Sequence, residues 1–138
     1  MYNLKKTYPE FVSDRTLHMF SGSSEFGITT DLNSEKADIK GDFRNLPFAD
    51  ASMEMVLADP PYANHYADEW HSELPKPKHI LAEAVRLVKP GGLIGILHII
   101  IIPAYKEFGV KRISLHPILT GPNNAIRVFN VFRKDYRV

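Results

Sequence analysis

Cysteine is absent from the 138 residues, so neither a disulfide framework nor a thiolate zinc site is available, and a cytoplasmic setting is expected. Long apolar runs are missing too. The longest, from Leu93 to Pro103, is interrupted by Gly95 and His98 and is too short to cross a bilayer; Met1-Tyr2-Asn3-Leu4-Lys5-Lys6 lacks the apolar core of a secretory leader. Net charge is only +1, which argues against a protein that coats nucleic acid by charge alone. No internal repeat, low-complexity tract or interdomain linker is visible. What remains is ordinary for a globular chain, 44% hydrophobic and 24% charged, and long enough for one core but not two, so 1–138 is expected to form a single domain.

Against that plain background Ala58-Asp59-Pro60-Pro61-Tyr62 stands out, directly after the apolar run Met55-Val56-Leu57. Neither proline can donate a backbone hydrogen bond, and each confines the residue before it to extended conformations. A strand ending here must give way to a stiff, non-helical turn. Such a turn holds the Asp59 carboxylate, the carbonyls beside it and the Tyr62 ring in fixed relation. Two acceptors and an aromatic face suit a planar substrate that carries an amino group. A strand that merely ends in a capped proline turn is the plainer alternative.

Upstream, Thr16 to Phe20 reads as a short strand running into Ser21-Gly22-Ser23-Ser24, where small residues let a backbone approach a ligand. Gly27 to Leu32 is a second β-rich run. Its acid, Asp31, stands where ribose hydroxyls are bound in nucleotide folds, although a turn cap shared with Asn33 and Ser34 is also open to it. Ala37 to Asp42 is a third short strand, followed by Phe43-Arg44-Asn45-Leu46-Pro47-Phe48, and Ala51 to Ala58 is a fourth. Beyond the proline turn, Tyr62, Tyr66 and Trp70 recur at intervals of four, one aromatic face of a helix that would wall a pocket or pack in a core. His65, Asp68 and His71 drift around such a helix at intervals of three, so no metal site is expected. The clearest helix, Lys78 to Lys89, turns Ile80, Leu81, Ala84, Val85 and Val88 to one side and is stopped by Pro90-Gly91-Gly92. A buried fifth strand follows, with His98 at its end. Lys111 to Leu119 and Arg127 to Arg133, joined by a loop over 120–124, read as a closing antiparallel hairpin. Residues 103–138 carry a net +5 against −4 for the remainder, a basic end able to track phosphates or simply to solvate a sheet edge.

With Asp-Pro-Pro-Tyr closing a fourth strand, the chain resembles the class I S-adenosylmethionine-dependent methyltransferases, in particular those that methylate exocyclic amines of nucleic-acid bases. The likeness extends to Phe20-Ser21-Gly22, to Gly41-Asp42 with Leu46-Pro47-Phe48, and to Glu83-x-x-Arg86 ahead of Lys89-Pro90-Gly91-Gly92. It implies that Phe20, Ser21 and Gly22 contact the methionine part of the cofactor and that Asp31, with Leu32 beside it, holds the ribose. It further implies that Asp42 accepts from the adenine amino group while Phe43 lies against the ring. Asp59 and the Pro60 carbonyl would accept from the target amine, Pro61 stiffening the turn and Tyr62 stacking on a flipped base. Ser24 replaces a second glycine of the family's first loop. A larger departure is that only Ser21 to Phe26 separate the first two strands, too few for the usual helical crossover. An antiparallel hairpin, or a first strand exchanged with a second chain, is therefore expected there.

Alternating strands and helices before a hairpin make this a three-layer, Rossmann-like α/β fold with a mostly parallel sheet. The resemblance implies methyl transfer from S-adenosylmethionine to a base amine, adenine N6 of DNA first, with DNA ahead of RNA as partner. With no separate target-recognition domain, a homodimer or a partner subunit is expected to help choose the target. The alternatives are a non-catalytic methyltransferase-like module that serves as a partner subunit and an enzyme acting on a small-molecule amine.

Overall fold

Side chains along the fourth strand divide between two cores. Val56 and Ala58 pack with Ile80, Leu81 and Ala84 of the helix, whereas Leu57 packs with Phe11, Phe129 and Val131 on the opposite face. That period of two is what a sheet buried on both sides requires. The computed structural model describes residues 8–11, 14–21, 27–32, 34–61, 74–120 and 125–137. Seven strands lie within them: β1 Thr16–Met19, β2 Ile28–Asp31, β3 Ile39–Lys40, β4 Met53–Ala58, β5 Val88–His98, β6 Val110–Thr120 and β7 Ala125–Lys134, with one α-helix, α1, Pro77–Leu87 between β4 and β5. They form a single sheet in the order β3-β2-β1-β4-β5-β7-β6. β1 to β5 are parallel, and β7 is antiparallel to both β5 and β6. This is the mostly parallel, Rossmann-like α/β sheet with a closing hairpin that the sequence predicts.

Two local expectations give way. β1 and β2 pair in parallel, with Leu17, His18 and Met19 opposite Ile28, Thr29 and Thr30, and not as a hairpin or an exchanged strand. The rule that asks for a helical crossover assumes strands of ordinary length. Here both strands are only four residues long, so the return distance is about 13 Å at 3.3 Å per residue, short enough that a helical crossover is not required. Left-handed backbone at both ends of the connection, Phe20 at φ 56° and Gly27 at φ 70°, supplies the sharp turns.

The helix stops two residues before the sequence predicts. Val88 is already extended (φ −79°, ψ 144°) and opposes Met53 in the sheet, so it opens β5 and does not extend the apolar stripe of α1. Pro90 is the physical cause: it disfavours helical backbone at Lys89, and in a continued helix its ring would strike the carbonyl of Arg86. The glycines after it shape a bulge between β4 and β5. A Cβ on Gly92 would come within 2.7 Å of the Glu54 carbonyl, and Gly91 sits at φ 81°.

α1 buries Ile80, Leu81, Ala84, Val85 and Leu87 on one face of the sheet. Against the other face lies the short helical turn Pro9–Phe11, whose Phe11 is fully buried beside Phe129. Among the described residues no helix is long and apolar enough to cross a membrane.

Candidate active site

Because β1 to β5 run parallel, their carboxyl ends fall on one edge of the sheet, the side on which α/β proteins bind ligands. Phe20 and Ser21 follow β1, Asp31 ends β2 with Leu32 next, Asp42 lies two residues beyond β3, and Asp59-Pro60-Pro61 follows β4. Backbone bonds tie these ends together: Ser21 N–H donates to Thr30 O (3.0 Å), Gly41 N–H to Asp31 O (3.0 Å) and Asp59 N–H to Met19 O (3.5 Å). The described candidates therefore share one rim. Gly22 and Tyr62 lie outside the described residues, as do the aromatic positions Tyr66 and Trp70 and the histidine positions His65 and His71.

On the β1–β3 side the rim is polar and buried. Ser21 is 5% exposed, and its Oγ has no hydrogen-bond partner among the described residues. A buried hydroxyl left in that state is costly unless a ligand atom meets it. Asp31 is buried as well, and its Oδ1 accepts from Ser34 N–H (3.2 Å), so one oxygen makes the turn cap that the sequence offers as its plain role. Beneath it lies His18, which sequence reasoning missed. Burial lowers its pKa to about 4, against the pull of the Asp31 charge.

Asp42 is exposed and caps the turn Phe43–Asn45. Arg44 grips both of its oxygens, through Nε at 3.0 and 3.2 Å and Nη2 at 2.6 Å, while Arg44 N–H donates at 2.9 Å. These bonds hold the Asp42 carboxyl below the usual carboxylate range, against a smaller opposing effect of burial. The Phe43 ring stands 5.1 Å from that of Phe20, so the loop after β3 is stacked on the end of β1. Phe20 holds this place in left-handed backbone, a conformation that costs on the order of 1–2 kcal/mol for a residue with a Cβ.

On the β4–β7 side the chemistry changes. Pro60 and Pro61 are buried, while Asp59 between them and β4 is exposed. Enough protein surrounds its carboxyl that desolvation raises its pKa, with the positive charge of Arg127 pulling the other way. Arg127 reaches this edge because β7 is antiparallel: Val128 faces His98, the last residue of β5. His98 is buried and its pKa is lowered by that burial. Around them the rim is apolar. Ile99 (48% exposed), Ile101 (58%), Leu119 (70%) and Ile126 (63%) stand open, with Leu119 directly opposite Ile126.

The segment after β5 is held in place by the fully buried Asn130. Its Nδ2 donates to Ile96 O (3.3 Å), Ile100 O (3.1 Å) and Val128 O (3.3 Å), and its Oδ1 accepts from Ile102 N–H (2.9 Å) and Arg112 Nη1 (3.2 Å). Arg112 Nη2 also donates to Ile102 O. Asn130 carried no sequence signal, and Arg112 and Arg127 were legible only as part of the basic end, since all three come from strands placed here by the final topology.

A parallel sheet with an acid at the end of its second strand, a stacked aromatic over its first and a proline-braced acid after its fourth defines an α/β enzyme that uses a nucleoside-type cofactor. A family model described as a methyltransferase domain matches residues 23–96, more than half of the chain. The chain belongs to that family, the S-adenosylmethionine-dependent methyltransferases, and S-adenosylmethionine is its cofactor. The residues present fit the group: a buried hydroxyl awaiting a partner at Ser21, a buried carboxylate at Asp31 and the Phe43 ring all face the same edge.

Solved structures agree on the fold. A SAM-dependent methyltransferase from Methanosarcina mazei superposes with a TM-score of 0.66 at 12% identity, covering 98% of each chain. A Haloferax volcanii methyltransferase, solved in complex with a methyltransferase activator, gives 0.60 at 14% identity over 87% of this chain and 82% of that one. TrmN from Thermus thermophilus gives 0.59 at 19% identity over 86% of this chain and 43% of that one. No curated protein matches the sequence.

Proposed function

We propose that the protein transfers the methyl group of S-adenosylmethionine to an exocyclic amine of a nucleic-acid base, with N6 of adenine in DNA as the first choice and RNA behind it. One observation carries this reading: Asp59, braced by two buried prolines, stands on the same rim as Ser21, Asp31 and Asp42. When bound, the cofactor supplies an electrophilic methyl on sulfur. The chain supplies position. Ser21 and Gly22 take the methionine end, Phe20 closes the wall beside them, Asp31 and Leu32 the ribose, and Asp42 and Phe43 the adenine.

An amine conjugated to an aromatic ring is a weak nucleophile. Asp59 and the Pro60 carbonyl accept its two N–H bonds, which turns the nitrogen lone pair toward the methyl carbon, and Tyr62 stacks on the ring. Transfer would form the nitrogen–methyl bond as the sulfur–methyl bond breaks, S-adenosylhomocysteine leaving with that electron pair, and the surplus proton on nitrogen would pass to Asp59 or water. For this Asp59 must be ionised. Its raised pKa therefore places the acid limb of activity above the usual range of an aspartate.

A second reading, a small-molecule amine as acceptor, is favoured by the exposed apolar residues Ile99, Ile101, Leu119 and Ile126 on the β5–β7–β6 side of the sheet, a poor surface for a phosphate backbone. We place the protein in the cytoplasm as a single domain acting as a homodimer or with a partner subunit. The Haloferax structure, in which an activator is bound, is a precedent for the latter. Incubation with methyl-labelled cofactor and DNA, RNA, free nucleosides or small amines tests the choice. Label on adenine N6 of DNA upholds the first reading, label confined to small amines replaces it with the second, and no transfer to any acceptor overturns both.

A further inference from the structure

The stretch 41–52 carries Asp42 and Phe43 from the end of β3 to the start of β4, yet Leu46 is its only buried residue, so packing alone does not fix its path. The anchor is on α1. Arg86 Nη1 donates to Phe48 O (2.8 Å) and Asp50 Oδ1 (3.0 Å), Nη2 to Leu46 O (3.1 Å), and Nε to both oxygens of Glu83 (3.1 and 3.0 Å). Glu83, 8% exposed, also accepts from Leu46 N–H (3.4 Å), and Ala51 N–H donates to Arg86 O (2.8 Å). Three successive turns of the loop are thus fastened to one guanidinium and its carboxylate. The only fork of donors with this reach is an arginine's; a lysine offers one nitrogen for the same acceptors.

We propose that Arg86, oriented by Glu83, is the positioning residue for the adenine end of the cofactor site. The inference rests on the reading of Asp42 and Phe43 as cofactor residues. Leu46 directly follows the turn Phe43–Asn45, which Asn45 N–H to Asp42 O (3.1 Å) closes into one unit, so shifting Leu46 shifts Phe43 against Phe20. The Glu83-x-x-Arg86 pattern ahead of the glycines then serves the site from the far side of a helix, without touching ligand. The exposed arm to Asp50, whose side chain is 82% exposed, contributes little.

Calorimetric titration of the full chain with S-adenosylhomocysteine is the test, alongside KM for the methyl donor and kcat at saturation. Arg86→Met should weaken binding roughly tenfold or more and raise KM with kcat little changed, Arg86→Lys should fall between it and the parent, and Asp50→Asn should stay within about twofold. Val131→Ala, in the opposite core, is the stability control, its binding compared with that of Arg86→Met at the same fraction folded as read from thermal melts. If it weakens binding as much, or if Arg86→Met and Arg86→Lys bind like the parent, the positioning role is overturned. Phe43→Ala separates the two layers of argument. Unchanged binding there overturns the adenine-pocket reading itself, whereas weakened binding there with intact binding in the Arg86 variants overturns only the clamp.

Discussion

Strands β1, β2 and β3 contain four, four and two residues, whereas β5, β6 and β7 contain eleven, eleven and ten. The short side buries polar groups, Thr16, His18, Ser21, Thr29, Thr30 and Asp31, and stitches them to backbone. Thr30 Oγ1 donates to His18 O (3.2 Å), Thr29 N–H to Asp38 Oδ2 (3.0 Å) and Asp38 N–H to Thr29 Oγ1 (2.8 Å). The long side buries Val128, Phe129, Val131 and Phe132 along long ladders, with His98, Asn130 and Lys134 as its buried polar residues. One half is rich in buried polar groups and the other in buried apolar packing. A hydrogen-bonded polar pair contributes about 1 kcal/mol net, whereas a fully buried aromatic contributes several times that.

The sharpest break of that comparison is Phe129→Ala. Its ring lies edge-on to Phe11 (5.9 Å) and Tyr8 (6.0 Å) and fills the space over Gly95, so truncation should cost about 3–5 kcal/mol in urea unfolding. A loss below about 1 kcal/mol would show that the long strands are not the stabilising half. Next comes Asp59→Ala, expected to lower methyl transfer by about 10²–10³-fold with the fold retained, and unchanged turnover would remove Asp59 from the reaction. Its raised pKa means that the folded state holds the Asp59 proton more tightly than the unfolded chain. Stability therefore declines as pH rises past the ordinary aspartate range, and Asp59→Asn should match or exceed the parent at pH 7.

His18 gives an effect of opposite sign. With a folded pKa of about 4 against 6.5 when unfolded, the unfolded chain binds the extra proton between those values. The contribution is complete above pH 6.5 and is lost as pH falls toward 4, on the order of 3 kcal/mol in all, and His18→Gln should flatten that slope in thermal melts. The smallest effect is expected from Thr30→Val: about 1 kcal/mol of stability, with a larger proportional loss in S-adenosylhomocysteine affinity. A variant that loses stability but no affinity would blur the division between the halves.

The sequence carried the elements that depend on local chemistry. Apolar runs bounded by Gly, Pro and Asp marked each strand to within a few residues, and the two prolines after Asp59 forecast the end of β4 at Ala58. Acids at strand ends were legible because a parallel sheet aligns those ends. What was not legible depends on how far the chain must travel or on who arrives from elsewhere. The parallel pairing of β1 with β2 follows from their brevity, which a rule framed for longer strands does not weigh. The end of α1 follows from Pro90 acting backward on Lys89 and Arg86. Arg127 and Asn130 reach the rim only because β7 inserts between β5 and β6, and Glu83 and Arg86 looked like scaffold because their loop partners lie some forty residues away.

That insertion has a consequence for biosynthesis. β7 follows β6 in the chain yet separates it from β5 in space. Until residues 125–134 have been made, β5 and β6 both present long unpaired edges, with Ile113 and Leu119 open to solvent even in the finished fold. Before β7 is in place the sheet has two sticky borders, so this protein's exposure to misassembly is greatest in the interval between the making of β6 and the arrival of β7 between it and β5.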